Sequence, residues 1–184
     1  MVAPSWGPSG VIETLGPELM DCLMDAGFAI TLRPHPQTAK IAQDTLQGIV
    51  RKYVGSSLFT LEEDVVGRES LHVSDLMISD WSGSALEYSL GLGKPVIFID
   101  VPKKINNPSY QELNIEPLEV HIREKIGVIV SPDSISNIPL IAEQLVYGSF
   151  DMQSFHMLRD QYVYNLGTQD QIGSQALQKI LNSK

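Results

Sequence analysis

Short apolar runs alternate with longer amphipathic stretches along the chain, and this alternation is the feature that most constrains its fold. The apolar runs that we interpret as strands are Val2–Ala3, Phe28–Leu32, Leu58–Leu61, Leu76–Ile78, Val96–Ile99 and Gly127–Val130. The stretches with helical spacing are Ile12–Met24, Gln37–Tyr53, Ser84–Leu92, Ile135–Val146, Phe150–Tyr164 and Ile172–Leu181. Strands separated by helices predict right-handed βαβ units. The sequence therefore predicts an α/β protein with a mostly parallel sheet.

Length, charge and cysteine content narrow the class of protein. The 184 residues suffice for one domain with a full core, so we interpret 1–184 as a single domain. The formal net charge of −9 argues against nucleic acid as a partner. No apolar run approaches the roughly 20 residues that cross a bilayer. The one cysteine, Cys22, cannot form an intrachain disulfide and fits a reducing compartment, so we expect a cytoplasmic protein.

The segment "SDWSGSALEYSLGLGKPVIFID", residues 79–100, is the first candidate site. Small residues where a strand passes into a helix let the backbone approach a ligand, and a helix N-terminus favours an anion. Asp80, Ser82, Gly83 and Ser84 occupy this turn, and Glu87 follows one turn into the helix, where a carboxylate suits the hydroxyls of a sugar. The alternative is structural: Asp80 or Ser82 caps the helix, and Glu87 is a surface acid.

The segment "LRPHP" is the second candidate site. Arg33 and His35 each precede a proline and are therefore biased toward extended backbone. Pro36 suits the first turn of the helix predicted to start near Gln37. This stiff corner would present the His35 imidazole at the ligand-binding edge of the sheet, although a hydrogen-bonded structural histidine is the alternative.

Other motifs are weaker or absent. The loop "APSWGPSG" lacks the G-x-G-x-x-G fingerprint and any Walker A pattern, so it is either a plain βα loop or part of a ligand cleft. No spacing of histidine, cysteine and acidic residues indicates a metal. His72 is interpreted as a packing residue. The region Lys103–Glu124 is predicted to be a long irregular connection with a short helical turn.

Three segments in order, VAPSW, LRPHP and SDLMISDWSGSALEYSLGLGKPVIFID, resemble the C-terminal half of CDP-glycerol glycerophosphotransferases, the teichoic-acid polymerase family. The resemblance runs from about Val2 to Asp100 and is looser beyond. It implies a Rossmann-like parallel sheet with helices on both faces, as in the C-terminal domain of a GT-B architecture. Trp81-Ser82-Gly83 departs from the Tyr-Ser-Ser usual in that family, and ALEY replaces an F-D-Y-like segment.

The resemblance also implies roles for residues. His35 would be the catalytic residue that contacts the donor's phosphates, with Arg33 and Asp80 beside it. Ser82, Gly83 and Ser84 would hold the diphosphate through backbone N–H groups, and Glu87 would hold the ribose. No metal and no cofactor is implied.

The implied function is transfer of glycerol phosphate, or a related polyol phosphate, from a CDP-activated donor to a cell-wall polymer. The chain would be the donor-binding part of a larger two-domain enzyme, inactive by itself, whose other domain binds the polymer acceptor. The whole enzyme could lie at the inner face of the cell membrane. Two alternatives stay open: a nucleotide-sugar glycosyltransferase or UDP-N-acetylglucosamine 2-epimerase-like domain, which the S-G-S…E pattern also resembles, and a stand-alone nucleotide-binding module.

Overall fold

The computed structural model describes residues 1–64, 66–103, 105, 107–148 and 152–183. The α-helices are α1 (Val11–Asp25), α2 (Thr38–Ile41), α3 (Gln43–Tyr53), α4 (Glu69–Val73), α5 (Gly83–Leu92), α6 (Leu118–Ile126), α7 (Ile138–Tyr147), α8 (Met152–Tyr162) and α9 (Gln169–Asn182). The strands are β1 (Ile30–Leu32), β2 (Phe59–Leu61), β3 (Met77–Ser79), β4 (Val96–Ile99) and β5 (Gly127–Val130). Two 3₁₀ helices cover Pro108–Leu113 and Pro132–Asn137.

All strand pairs are parallel, and Val2 joins them into one sheet. β1 pairs with β2, and β3, β4 and β5 pair in that order. Val2 bridges Leu32 of β1 on one side and Ile78 of β3 on the other. If the Val2 segment is counted as the first strand, the sheet order is 3-2-1-4-5-6, the order of the doubly wound Rossmann-like fold. The predicted α/β class and parallel sheet are therefore confirmed.

Both faces of the sheet are buried. Ile97 and Ile99 of β4 belong to the core cluster that includes the inner side of α1. Val96 and Phe98 alternate with them, are also fully buried, and therefore face the other side, where α5 and α6 pack against each other. Burying each such side chain contributes about 1.5–3 kcal/mol to folding. Helices thus cover both faces, which is why β4 is apolar at every position.

Several predicted boundaries need correction. The helix predicted over Gln37–Tyr53 is broken at Ala42, whose φ of −128° and ψ of 39° separate α2 from α3. Leu118–Ile126 is a regular helix, so the interpretation of Lys103–Glu124 as irregular chain was wrong in its last part. The short helix α4 was not predicted, and the predicted helix start at Phe150 lies outside the described residues.

The chain divides into two compact units, Met1–Phe150 and Asp151–Lys184. The first contains the sheet, and the second contains α8 and α9. The interpretation of 1–184 as one functional domain stays a prediction. Among the helices that the structure describes, none is long and apolar enough to cross a bilayer.

Candidate functional site

A cleft of about 910 Å³ opens where the Val2 segment, β1 and β3 end. The carboxyl ends of neighbouring strands at the point where the sheet order reverses are the usual ligand position in such folds. The cleft is lined by most of the residues that the sequence singled out: Arg33, His35, Ser82, Gly83, Ser84 and Glu87. The two segments predicted independently, LRPHP and SGS, therefore meet in one place.

One wall of the cleft is α5, which begins inside it. Ser82 is the N-cap residue, with extended backbone and no capping hydrogen bond from its side chain to a backbone N–H of the helix. Its hydroxyl lies 2.8 Å from that of Ser84. No acidic residue lies in the first turn. Gly83 and Ser84, the first residues of α5, therefore line the cleft at a helix N-terminus with no carboxylate in its first turn, an arrangement that favours a bound anion.

His35 lies at the corner opposite α5, where Trp6 and Gln37 contact its ring. Its ring stacks on Trp6, with 5.7 Å between the ring centroids. Its Nδ1 accepts a hydrogen bond of 3.1 Å from the backbone N–H of Gln37. Because Nδ1 is an acceptor, the neutral imidazole carries its proton on Nε2, the form that can donate to a phosphate oxygen.

Two exposed charges of opposite sign line the cleft away from that corner. Glu87 lies one turn into α5, and Arg68 lies at the start of α4. Within the described part of the chain, neither side chain makes a hydrogen bond or an ion pair. Both are therefore available to a ligand. Their positions allow Glu87 to accept from hydroxyls and Arg68 to donate to a polar or anionic group.

Arg33 lines the cleft, but its guanidinium also has structural partners. Nη1 donates to the carbonyl oxygen of Gly67 at 2.9 Å and to the Ser70 hydroxyl at 3.1 Å, and it lies 3.3 Å from a Glu62 carboxylate oxygen. These bonds join the end of β1 to the segment that carries Arg68. Arg33 is therefore placed to shape the cleft wall, in addition to its predicted role in donor binding.

Asp80 does not line the cleft. It is fully buried, and its Oδ1 accepts a hydrogen bond of 2.7 Å from the backbone N–H of Ser5. Burial raises the pKa of this carboxyl, while hydrogen bonds from the backbone of Ser5, Val11 and Trp81 act in the opposite direction. The structure therefore places Asp80 as a link between the Val2 and β3 loops, unlike the donor contact that the resemblance implies.

The N-terminus of α1, where a classical dinucleotide fold holds its diphosphate, is filled by carboxylates. Asp80 lies close to the backbone N–H of Val11, the first residue of α1, which acts to lower the pKa of its carboxyl against the larger effect of burial. Glu13, in the first turn, accepts a hydrogen bond of 3.3 Å from the N–H of Gly7, and a Cβ at Gly10 would collide with its side chain. These two acids, Asp80 buried and Glu13 partly buried, would repel an incoming phosphate at this helix end.

Contacts of the Trp81 side chain fix the turn before α5. Its Nε1 donates to the carbonyl oxygen of Val101 at 2.7 Å. The Arg123 guanidinium lies 3.8 Å from the centre of its ring, and Arg123 is almost fully buried, with Nη1 3.1 Å from Asp100 Oδ1. Such a stack on a buried cation is worth about 1–2 kcal/mol. The turn at the start of α5 is thereby held in a fixed conformation.

Two cleft residues were missed by sequence reasoning. Arg68 received no role, and His72, interpreted as packing, is exposed and lines the cleft. The sequence signal for them was their spacing: Arg68 and His72 are four residues apart shortly before a predicted strand. This spacing places both side chains on one face of a helical turn. Within the described residues, no group of three or more metal-binding side chains occurs.

The fold class follows from the strand order of this chain, which reverses its direction between the Val2 segment and β3. Comparison with profiles of known protein families, with curated proteins and with solved structures finds no significant match to this chain.

Proposed function

We propose that this chain is the donor-binding domain of a GT-B transferase similar to the CDP-glycerol glycerophosphotransferases. The observation that carries the proposal is the contrast between two helix N-termini: that of α5 opens into the 910 Å³ cleft beside His35, whereas that of α1 is filled by acids. The diphosphate of a nucleotide donor would lie at Gly83 and Ser84, and its ribose would lie at Glu87.

In this reaction the hydroxyl oxygen of an acceptor attacks the phosphorus that carries glycerol. The bond from that phosphorus to the bridging oxygen breaks, and CMP leaves with the electron pair. The acceptor's proton passes to a base that we expect outside this chain. Here the chain positions the diphosphate and stabilises the charge that develops on the leaving group, through the N–H groups of α5 and the Nε2–H of His35. The acceptor, a cell-wall polymer, and a cytoplasmic site of action belong to the same proposal.

The test is calorimetry with CDP, CMP, cytidine, UDP, CDP-glycerol and inorganic diphosphate. We expect CDP and CDP-glycerol to bind more tightly than CMP, and cytidine to bind least, because affinity should follow the phosphates. Equal affinity for CDP and cytidine, or no binding of either diphosphate nucleotide, would contradict the proposal.

The same measurements separate the alternatives. A preference for UDP over CDP favours a nucleotide-sugar transferase or a UDP-N-acetylglucosamine 2-epimerase-like domain, which the S-G-S…E pattern of Ser82–Glu87 also fits. Inorganic diphosphate that binds as tightly as CDP would indicate a phosphate-binding module that does not read the nucleoside.

A further inference from the structure

We infer that Arg123 is a positioning residue for the phosphate site at α5: its charge offsets two carboxylates near the turn that starts this helix, and it does so without touching the ligand. The inference rests on the proposed function, because it concerns the diphosphate at Gly83 and Ser84. It adds a residue from outside the cleft, since Arg123 lies on α6 and is not among the residues that line the cleft.

Two carboxylates lie near the turn that starts α5. Asp80 directly precedes Trp81 and is fully buried, and the backbone N–H of Trp81 is one of the groups that act to lower the pKa of its carboxyl. Asp100 follows β4, the strand that pairs with β3, and its side chain is about half exposed. A diphosphate bound at this turn would be repelled by both negative charges if no cation offset them.

Arg123 supplies a cation in contact with this turn. Its Cζ lies 3.8 Å from the centre of the Trp81 ring, and its Nη1 lies 3.1 Å from Asp100 Oδ1. The charges of Asp100 and Asp80 both act to raise the pKa of the guanidinium, against the larger effect of burial, which lowers it. One guanidinium therefore interacts with both of the carboxylates near the turn.

Burial makes the charge of Arg123 more effective than a charge on the surface. Its side chain is only 2% exposed, so little water or salt screens it from the turn. Lys103 is a second cation at the same ring, with its ammonium 5.1 Å from the centre of Trp81. Lys103 is exposed, however, and screening by water reduces its contribution.

Packing alone does not account for a charged side chain at this position. Within the described part of the chain, Nε and Nη2 of Arg123 are buried without a hydrogen-bond partner. A buried cation with unmet hydrogen bonds costs free energy, and apolar side chains of similar volume often stabilise a fold equally well or better. We therefore attribute the charge to its effect on the neighbouring anion site, where a local cost in stability is common.

Calorimetry with CDP, CMP and cytidine separates the charge of Arg123 from its packing. Arg123→Met keeps most of the volume and removes the charge, so we expect it to weaken CDP roughly tenfold. Arg123→Lys keeps the charge and should weaken CDP no more than about threefold. The losses should be smaller for CMP and absent for cytidine, because they follow the charge of the ligand.

Asp100 provides the test of opposite sign. Asp100→Asn removes one carboxylate from an exposed position, so it should strengthen CDP about twofold to threefold without affecting folding. The double variant Arg123→Met/Asp100→Asn should recover part of the affinity that Arg123→Met loses. A residue that only supports the fold would produce neither the gain nor the recovery.

Arg51→Met and Asp44→Asn make the matched charge changes on α3, at exposed positions outside the cleft lining, and should leave CDP binding unchanged. Slow solvent exchange of the Trp81 indole N–H, which donates to the Val101 carbonyl, shows that the turn is intact in each variant.

The outcomes for this inference and for the proposed function are distinct. If CDP binds but Asp100→Asn does not strengthen it, the inference is wrong and the proposed function stands; this result decides the question even if Arg123→Met does not fold. Equal losses of CDP and cytidine in Arg123→Met would also contradict the inference alone. If wild-type protein binds neither CDP nor CDP-glycerol, the proposed function fails and this inference fails with it.

Discussion

Two helices begin side by side at the same edge of the sheet, and their N-termini differ in one respect. α1 begins with Asp80 close to the backbone N–H of Val11 and with Glu13 in its first turn, so two carboxylates of the protein lie near its partial positive charge. α5 begins with Ser82, Gly83 and Ser84 and opens into the cleft. From this comparison we expect that an anion site in this fold depends on which helix N-terminus has no carboxylate beside it. The presence of a helix end at the ligand edge is not sufficient.

The largest effect should come from making α5 resemble α1. Ser84→Glu places a carboxylate in the first turn of α5, where it would repel a diphosphate and weaken CDP binding by roughly thirtyfold or more. The same carboxylate should raise the free energy of unfolding by about 0.3–1 kcal/mol, because it complements the helix dipole. Calorimetry and urea unfolding measure the two effects. Ser84→Ala is the control, and a Ser84→Glu protein that binds CDP normally would show that α5 is not the anion site.

A somewhat smaller loss of CDP affinity is expected when His35, on the opposite wall of the cleft, is replaced. Removing a hydrogen bond to a charged group costs about 1.5–3 kcal/mol, so His35→Ala should weaken CDP at least about tenfold. Cytidine, which has no phosphate, should be nearly unaffected. His121→Ala, on α6 and outside the cleft lining, is the matched control. Equal losses for CDP and cytidine would mean that His35 only supports the corner that Trp6 and Gln37 hold.

Glu87, one turn further along α5, tests where the ribose of the donor binds. Glu87→Gln should weaken CDP about tenfold while the melting temperature stays nearly constant, since the carboxylate is exposed and has no partner among the described residues. The specific readout is 2′-deoxy-CDP. Wild-type protein should prefer CDP to its deoxy form, and the variant should lose that preference. A preference that survives in Glu87→Gln would place the ribose elsewhere, and Glu18→Gln, on α1, serves as a control for loss of one exposed charge.

The smallest expected effect is a pH dependence of the free energy of unfolding, which comes from Asp80 at the N-terminus of α1. Burial raises the pKa of Asp80 in the folded state above its ordinary value of 3.8, so the folded protein binds this proton more firmly than the unfolded chain does. The contribution of Asp80 to the free energy of unfolding therefore decreases as the pH rises from 3.8 through the raised pKa. Urea unfolding of Asp80→Asn between pH 4 and pH 7 isolates this contribution, and relative to wild type the variant should gain stability with rising pH. A difference that is constant over this range would contradict the expected shift.

The parts of the structure that could be predicted from sequence are those with a local signal. The β4 and β5 boundaries, Val96–Ile99 and Gly127–Val130, agree with the predicted runs because apolar side chains occupy these strands almost without interruption. The meeting of the LRPHP and SGS segments followed from one rule, that parallel strands end at a common edge. Their role in binding stays a prediction.

The parts that could not be predicted depend on contacts between distant segments. Asp80 follows a strand, as a ligand-binding acid would, and only the N–H of Ser5, 75 residues earlier, reveals that it faces inward. Arg123 lies in the charged stretch LEVHIREKI, where nothing local indicates that this one arginine is buried against Trp81 and Phe98. Without that burial pattern, the apolar positions of α6 were too few to indicate a helix.

The stacking of Trp6 on His35 and of Trp81 on Arg123 has a spectroscopic consequence. The chain has two tryptophans, so an amide correlation spectrum contains two indole N–H resonances, one on each side of the turn that starts α5. The Trp81 indole donates to the Val101 carbonyl and should exchange slowly with solvent, whereas the Trp6 ring should sense the charge state of the neighbouring imidazole. The two native tryptophans thus supply a pair of internal probes, with which occupancy on either side of the proposed phosphate position can be followed separately in a single titration of ¹⁵N-labelled protein.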